Sequence, residues 1–220
     1  MYRCILFTLT LFSGLEAFAL DYSLDRLILG FRAKFQQKCV HIGGENALLD
    51  LQVAASKLVD CTPINYNSPE TICTNQRQKS YRCYLGFFDK LEPCLEIQEK
   101  YMKNLFLRTH VAIFDKICKN PKMFLRTRNQ IESARCDKPL EVIVQNYLQN
   151  CLPRLRIVQN LYKHDDVITE EDLCQDISTM RHCKFMNVKQ YCAEYYVVKH
   201  ILDIVFDSYL DSCAIDMAKK

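Results

Sequence analysis

The stretch CQDISTMRHCKFMNVKQYC, Cys174 to Cys192, places three cysteines at two equal steps of nine and sets His182 beside the middle one. Sulfurs in such a run can hold a metal, attack a substrate or join separate parts of a fold. Thr169 stands shortly upstream with Glu170, Glu171 and Asp172 behind it, the pattern of an N-cap followed by an acidic first turn. A helix from that cap puts Cys174 and Cys183 about 900° of turn apart, on opposite faces, and separates them by about 13 Å along the axis. Zinc requires its ligand sulfurs to converge on one point at about 2.3 Å. A disulfide cannot bridge Cα atoms much more than about 7 Å apart. Neighbours in the trio therefore neither share a metal nor bond to each other. Each sulfur is expected to reach across to a different helix.

The compartment agrees with that reading. The chain opens MYRCILFTLTLFSGLEAFALDYSLDR, with Arg3 as a basic start, a 12-residue and mostly apolar stretch from Cys4 to Leu15, and the small-x-small triplet Ala17-Phe18-Ala19. This is the layout of a secretory signal with its cut after residue 19. The apolar run is shorter than the roughly 20 residues a membrane span needs, and a buried N-terminal helix is the competing reading. Residues 20–220 are expected to form one cysteine-rich helical domain, secreted and extracellular. Removing Cys4 leaves twelve cysteines of the thirteen: Cys39, Cys61, Cys73, Cys83, Cys94, Cys118, Cys136, Cys151, Cys174, Cys183, Cys192 and Cys213. An even set in an oxidising compartment reads as disulfides, but order alone leaves roughly ten thousand pairings open.

Composition narrows the fold class. Five glycines and six prolines in 220 residues are too few for a turn-rich β protein. The 29 basic and 26 acidic residues are scattered along the chain, a solvated surface and not a nucleic-acid footprint. The apolar pattern is helical nearly throughout. It predicts a helix from Leu24 to Cys39, a break at Gly43-Gly44, and a second helix over 45–60 carrying Leu48, Leu51, Ala54 and Leu58. TPINYNSP, residues 62–69, reads as a loop, and a short helix follows to Phe88. Pro93 is read as the first turn of a long helix to Cys118, with Ile97, Tyr101 and Leu105 on one side. Further helices fit 122–135 and 139–151. Near the C-terminus Val188, Tyr191, Tyr195, Val198, Leu202, Val205 and Tyr209 step by three and four, as a core face or as a seam for a partner chain. Cys192 and Cys213 on that one helix would lie about 31 Å apart. The expectation is an all-α, disulfide-stapled multi-helix bundle. Cys39 to Cys61 spans 22 residues and Cys151 to Cys174 spans 23, each followed by two shorter steps, which suggests two loosely repeated helical halves.

No catalytic constellation emerges. A cysteine already in a disulfide is no nucleophile, so His182 reads as an exposed helical histidine. His164-Asp165-Asp166 resembles the histidine–aspartate pair of secreted phospholipases, but the cysteines that flank that histidine and the glycine-rich calcium loop are missing. His41, His110 and His200 stand alone. Neither G-x-S-x-G, HExxH nor a phosphate-cradling glycine loop occurs. No catalytic residue, metal ligand or cofactor site is therefore assigned.

The run CTNQRQKSYRCYLGFFDKLEPCLEIQEKYMKNLFLRTHVAIFDKIC, Cys73 to Cys118, resembles the core of the insect haemolymph glycoprotein family named for a 27 kDa member, with LEPCLE (Leu91 to Glu96) its most distinctive piece. The early FQQKCVHIGGENALLDLQVAASKLVDC and the late Cys174, Cys183, Cys192, Cys213 series fit the same order. A similar late series occurs in secreted nematode helical domains. The resemblance implies a secreted, non-enzymatic protein of body fluid. Two features depart from it: the Cys61–Cys73 loop is short, and no N-x-S/T sequon is present, so N-glycosylation is not expected. Two functions fit, a carrier whose 12 tyrosines and 12 phenylalanines line a pocket for an apolar small molecule, and a factor that binds a protein partner through a helix face.

Overall fold

A computed structural model describes residues 22–61, 68, 71–133, 149–160, 167–193 and 195–217. The fold is all-α. Its helices are α1 (Tyr22–Cys61), α2 (Arg77–Leu91), α3 (Tyr101–Lys119), α4 (Pro121–Ser133), α5 (Arg156–Asn160), α6 (Glu170–Tyr191) and α7 (Tyr195–Met217). No strand occurs among the described residues. The chain divides into two compact units, Met1–Val111 and Ala112–Lys220, with the boundary inside α3. None of the described helices is long and apolar enough to cross a membrane.

In the first unit α1 packs against α2. The break expected at Gly43-Gly44 is present as a kink, where Gly44 adopts φ 79° inside an otherwise helical span, a conformation that costs little only for glycine. Beyond it Leu51, Ala55 and Leu58 turn inward and are buried, while Leu49 and Val53 face solvent. On α2 the buried set Ser80, Tyr84, Phe87, Phe88 and Leu91 follows the i, i+4, i+7 spacing of one helix face. Lys90 of α2 pairs with Asp50 of α1 at 2.7 Å, an exposed bridge that adds little stability. A single π-helical turn, Ile72–Gln76, carries Cys73 directly into α2.

The long helix expected to start at Pro93 does not do so. Glu92–Cys94 forms a 3-10 turn, Leu95 and Glu96 are extended, and Ile97–Glu99 forms a second 3-10 turn before α3 begins at Tyr101. Proline does begin a helical turn here, but the two extended residues after Cys94 end it. Cys94 is bonded to Cys39 of α1, and the carbonyl of Pro93 lies against α1 at Gly43. A Cβ on Gly43 would sit 2.6 Å from that oxygen, so the close approach requires glycine. Ile97, placed by the pattern on one side of that helix with Tyr101 and Leu105, lies before α3 and is 79% exposed.

The second unit is built on the α6–α7 pair, with α4 against α7 and α5 against α6. Thr169 is the N-cap the sequence predicts: its hydroxyl accepts from the backbone N–H of Asp172, with Glu170, Glu171 and Asp172 in the first turn. The expected helix over 122–135 is observed as α4, with Pro121 at its first position. The expected helix 139–151 lies outside the described residues except for its last residues. The late stripe is not one helix. α6 ends at Tyr191, Cys192 is extended at φ −122° and ψ 119°, and α7 restarts at Tyr195. The buried face of α7 is Val197, Ile201, Val205, Ser208, Ser212 and Cys213, joined by Phe206 and Tyr209. Val198 and Leu202 of the predicted stripe are only half-buried.

Candidate functional site

Each cysteine of the opening stretch is engaged in a bond. Cys174 pairs with Cys213, joining α6 to α7, and Cys183 pairs with Cys151, joining α6 to the segment before α5. Cys73, Cys83, Cys118 and Cys192 are disulfide-bonded as well. Cys174 and Cys183 therefore reach to separate elements, as the rise of a helix requires. The side chains of Cys61 and Cys136 fall outside the described set. Among the described residues no group of His, Cys, Asp and Glu side chains could hold a metal ion. His182 and His41 are exposed and His200 is half-buried. His164, Asp165 and Asp166 lie outside the described residues.

Three polar arrangements that the sequence reading did not assign organise the surface and core. The first braces the turn between α2 and α3. Glu99 is 1% exposed and accepts from the Lys38 ammonium at 2.7 Å, 61 residues earlier in the chain. Its other oxygen accepts from the backbone N–H of Glu96 at 3.0 Å, and the Glu96 side chain reciprocates at the Glu99 backbone, a capping box. A second cation, Lys103, contacts Asp89 at 2.8 Å and Glu92 at 2.9 Å. The hydrogen bonds it donates to those two carboxylates raise its pKa. Together with the Cys39–Cys94 bond next to Lys38, these contacts fix Leu91–Lys100 from both ends while Ile97 projects from its apex.

The second arrangement surrounds His110. Arg77, Tyr81 and Tyr84 occupy one stripe of α2 at i, i+4 and i+7. The His110 ring lies against that stripe, with centroids 4.5 Å from Tyr84 and 6.3 Å from Tyr81. A tyrosine face attracts a cation by about 0.5–2 kcal/mol, which would favour a charged imidazole. Burial acts the other way and wins, with repulsion from Arg77 added to it, and His110 is held down to about pKa 4.

The third arrangement is in the second unit. Asp176, 1% exposed on α6, accepts from the backbone N–H groups of Arg156 at 2.7 Å and Ile157 at 2.8 Å, so it caps the start of α5. Burial raises its pKa against the lowering effect of those two donors. One turn earlier Asp172 accepts from the Arg156 guanidinium at 2.8 Å and from the Thr169 hydroxyl at 2.7 Å, and its pKa is lowered by those bonds. Arg181 on the same helix contacts Asp203 at 3.0 Å and Asp207 at 2.8 Å on α7. Nearby, Lys184 is held down to about pKa 8 by burial, its ammonium 5.9 Å from the Phe206 ring.

None of these sets brings a nucleophile, a base and an electrophile-stabilising donor to one point, which is what covalent or acid–base catalysis requires. Glu96 and Glu99 carry a local signal, since an acceptor followed three residues on by Glu is the capping-box spacing. Asp176 and Lys38 carry none, because their partners lie 20 and 61 residues away. No family model, curated protein or solved structure matches the chain.

Proposed function

We propose that this chain is an exported, non-enzymatic protein of body fluid that works by presenting a braced surface to a protein partner. The observation that carries the reading is the Leu91–Lys100 turn. A disulfide, a buried ion pair and a capping box hold it rigid, yet its apex shows an isoleucine that is 79% exposed. An apolar side chain fixed in position before binding loses little entropy on docking, which is how interface anchors gain affinity. The leader-like N-terminus and the resemblance to the insect haemolymph glycoprotein family support the extracellular setting.

The carrier reading draws on the supply of aromatic rings. In the first unit those rings are occupied with one another: Phe88 stacks on Phe106 at 5.3 Å and meets Phe87 edge-on at 5.3 Å. That favours the partner-binding reading over a ligand-lined cavity.

The test compares wild type with Ile97→Asp after reversible crosslinking in the fluid of the source organism. The expected result is a stoichiometric complex with one protein that disappears in the variant while its melting temperature is unchanged. Uptake of a fluorescent fatty acid by delipidated protein, equal in both forms and with no crosslinked partner, would replace this reading with the carrier.

A further inference from the structure

We propose that the α2–α3 seam of the first unit is an acid-operated latch, in which protonation of His110 drives the two helices apart and uncovers Phe87, Phe88 and Phe106. The inference is independent of the partner reading, since it concerns how the unit opens and not what it binds.

His110 is 8% exposed and lies on the same helix as buried Phe106, Leu107, Ile113 and Phe114, one turn to either side. From α2 it meets Tyr81, Tyr84 and the charge of Arg77. On α3 itself the nearest charged residues in sequence are Arg108 and Asp115, two before and five after, which a helix turns to other faces. A proton arriving on the imidazole therefore creates a buried cation against the Tyr81 and Tyr84 rings, and the Arg77 guanidinium on the facing helix repels it. Separating the helices hydrates the imidazolium and moves it away from Arg77. It also exposes the ring stack immediately next to it, since Phe88 and Phe106 are partners across the same two helices.

The direction in pH follows from linkage. A histidine whose folded pKa lies below its ordinary value of about 6.5 binds its proton more weakly in the closed form than in the open one. Closure is thus complete above about pH 6.5 and is lost progressively as the pH falls toward the folded value of about 4. Opening gains nearly tenfold per pH unit in the middle of that window, and the full titration from well above pH 6.5 to well below pH 4 amounts to roughly a 300-fold shift.

Two measurements test the latch. Hydrogen-exchange protection of the α3 amides, corrected for intrinsic rates, should fall roughly 40-fold between pH 6.5 and pH 4.5 in wild type, from the linkage of the two pKa values. In His110→Gln, which cannot take the proton, protection over the same range should stay within about threefold of constant. Arg77→Gln should give a drop smaller than wild type because the repulsion is gone. Protection that is flat in wild type, or that falls equally in His110→Gln, would overturn the proposal. Should His110→Gln fail to fold, the NMR titration of the His110 ring in wild type decides. A midpoint near 4 supports the latch, and one near 6.5 removes it.

Discussion

Lys38 and Glu99 show how much one side chain can depend on another far away in sequence. The carboxylate is sealed from water and its two oxygens are both committed, one to the ammonium and one to the Glu96 amide. Removing the cation leaves a buried charge without its ion-pair partner, a change that costs more than the pair itself contributes. Lys38→Met should therefore destabilise the protein by about 3 kcal/mol. Adding Glu99→Gln to it should restore part of that loss, because the uncompensated charge is then removed too. Urea unfolding of the two variants against wild type measures both effects. An equal loss in single and double variants would show that the pair acts only by filling space. At this scale legibility follows distance along the chain. The prohibition on a Cys174–Cys183 bond was readable, because it needs only the rise of one helix. The Lys38–Glu99 pair and the Asp176 cap were not, because nothing in an acidic residue states which groups a remote segment will bring to it.

Among the helices, α6 carries two carboxylates one turn apart that respond to acid in opposite senses. Asp172 has its pKa lowered, chiefly by its bond from Arg156, so it adds stability above the ordinary carboxylate value that is lost as the pH falls. Asp176 has its pKa raised by burial, so its contribution is present at low pH and declines as the pH rises through that folded value. Between pH 3 and pH 6, Asp172→Asn should therefore flatten the rise of stability with pH. Asp176→Asn should steepen it, on top of an overall loss of about 1 kcal/mol from the weakened cap on α5. Urea midpoints at four pH values separate the two, and parallel pH profiles for wild type and both variants would contradict the assignment. The N-cap at Thr169 was readable, since threonine followed by three acids needs no tertiary partner to act. Two other helix readings failed for a physical reason. The stripe from Val188 to Tyr209 keeps its three-and-four rhythm straight across the extended Cys192, so periodicity alone could not show the break. Pro93 is a fair start signal for a helical turn, but the bond from Cys94 to Cys39 and the extended Leu95-Glu96 pair deliver only a 3-10 turn.

For the molecule as a whole, an all-α fold joined by interhelical disulfides was legible because scarcity of glycine and proline and a 3.6-residue period are properties of the entire chain. The boundary at Val111 was not, since it falls within a continuous apolar stripe on α3 and no change of composition marks it. Nor was the pairing of the cysteines. In the repeat suggested by spacing, Cys39 corresponds to Cys151 and Cys73 to Cys183, yet Cys39 bonds to Cys94 whereas Cys151 bonds to Cys183. These two bonds do not correspond under that repeat. The Cys174–Cys213 bond closes 39 residues of chain and ties α6 to α7, the central pair of the second unit. Closing a loop of that length removes denatured-state entropy equivalent to about 4 kcal/mol at room temperature. Cys174→Ala/Cys213→Ala should lose about that much, visible as a lower urea midpoint, while the Cys151–Cys183 crosslink survives in a non-reducing peptide map. If the bond acts mainly on the unfolded chain, the double variant should unfold at nearly the wild-type rate and refold more slowly. A loss appearing wholly in the unfolding rate would instead place the effect in the native packing of α6 on α7.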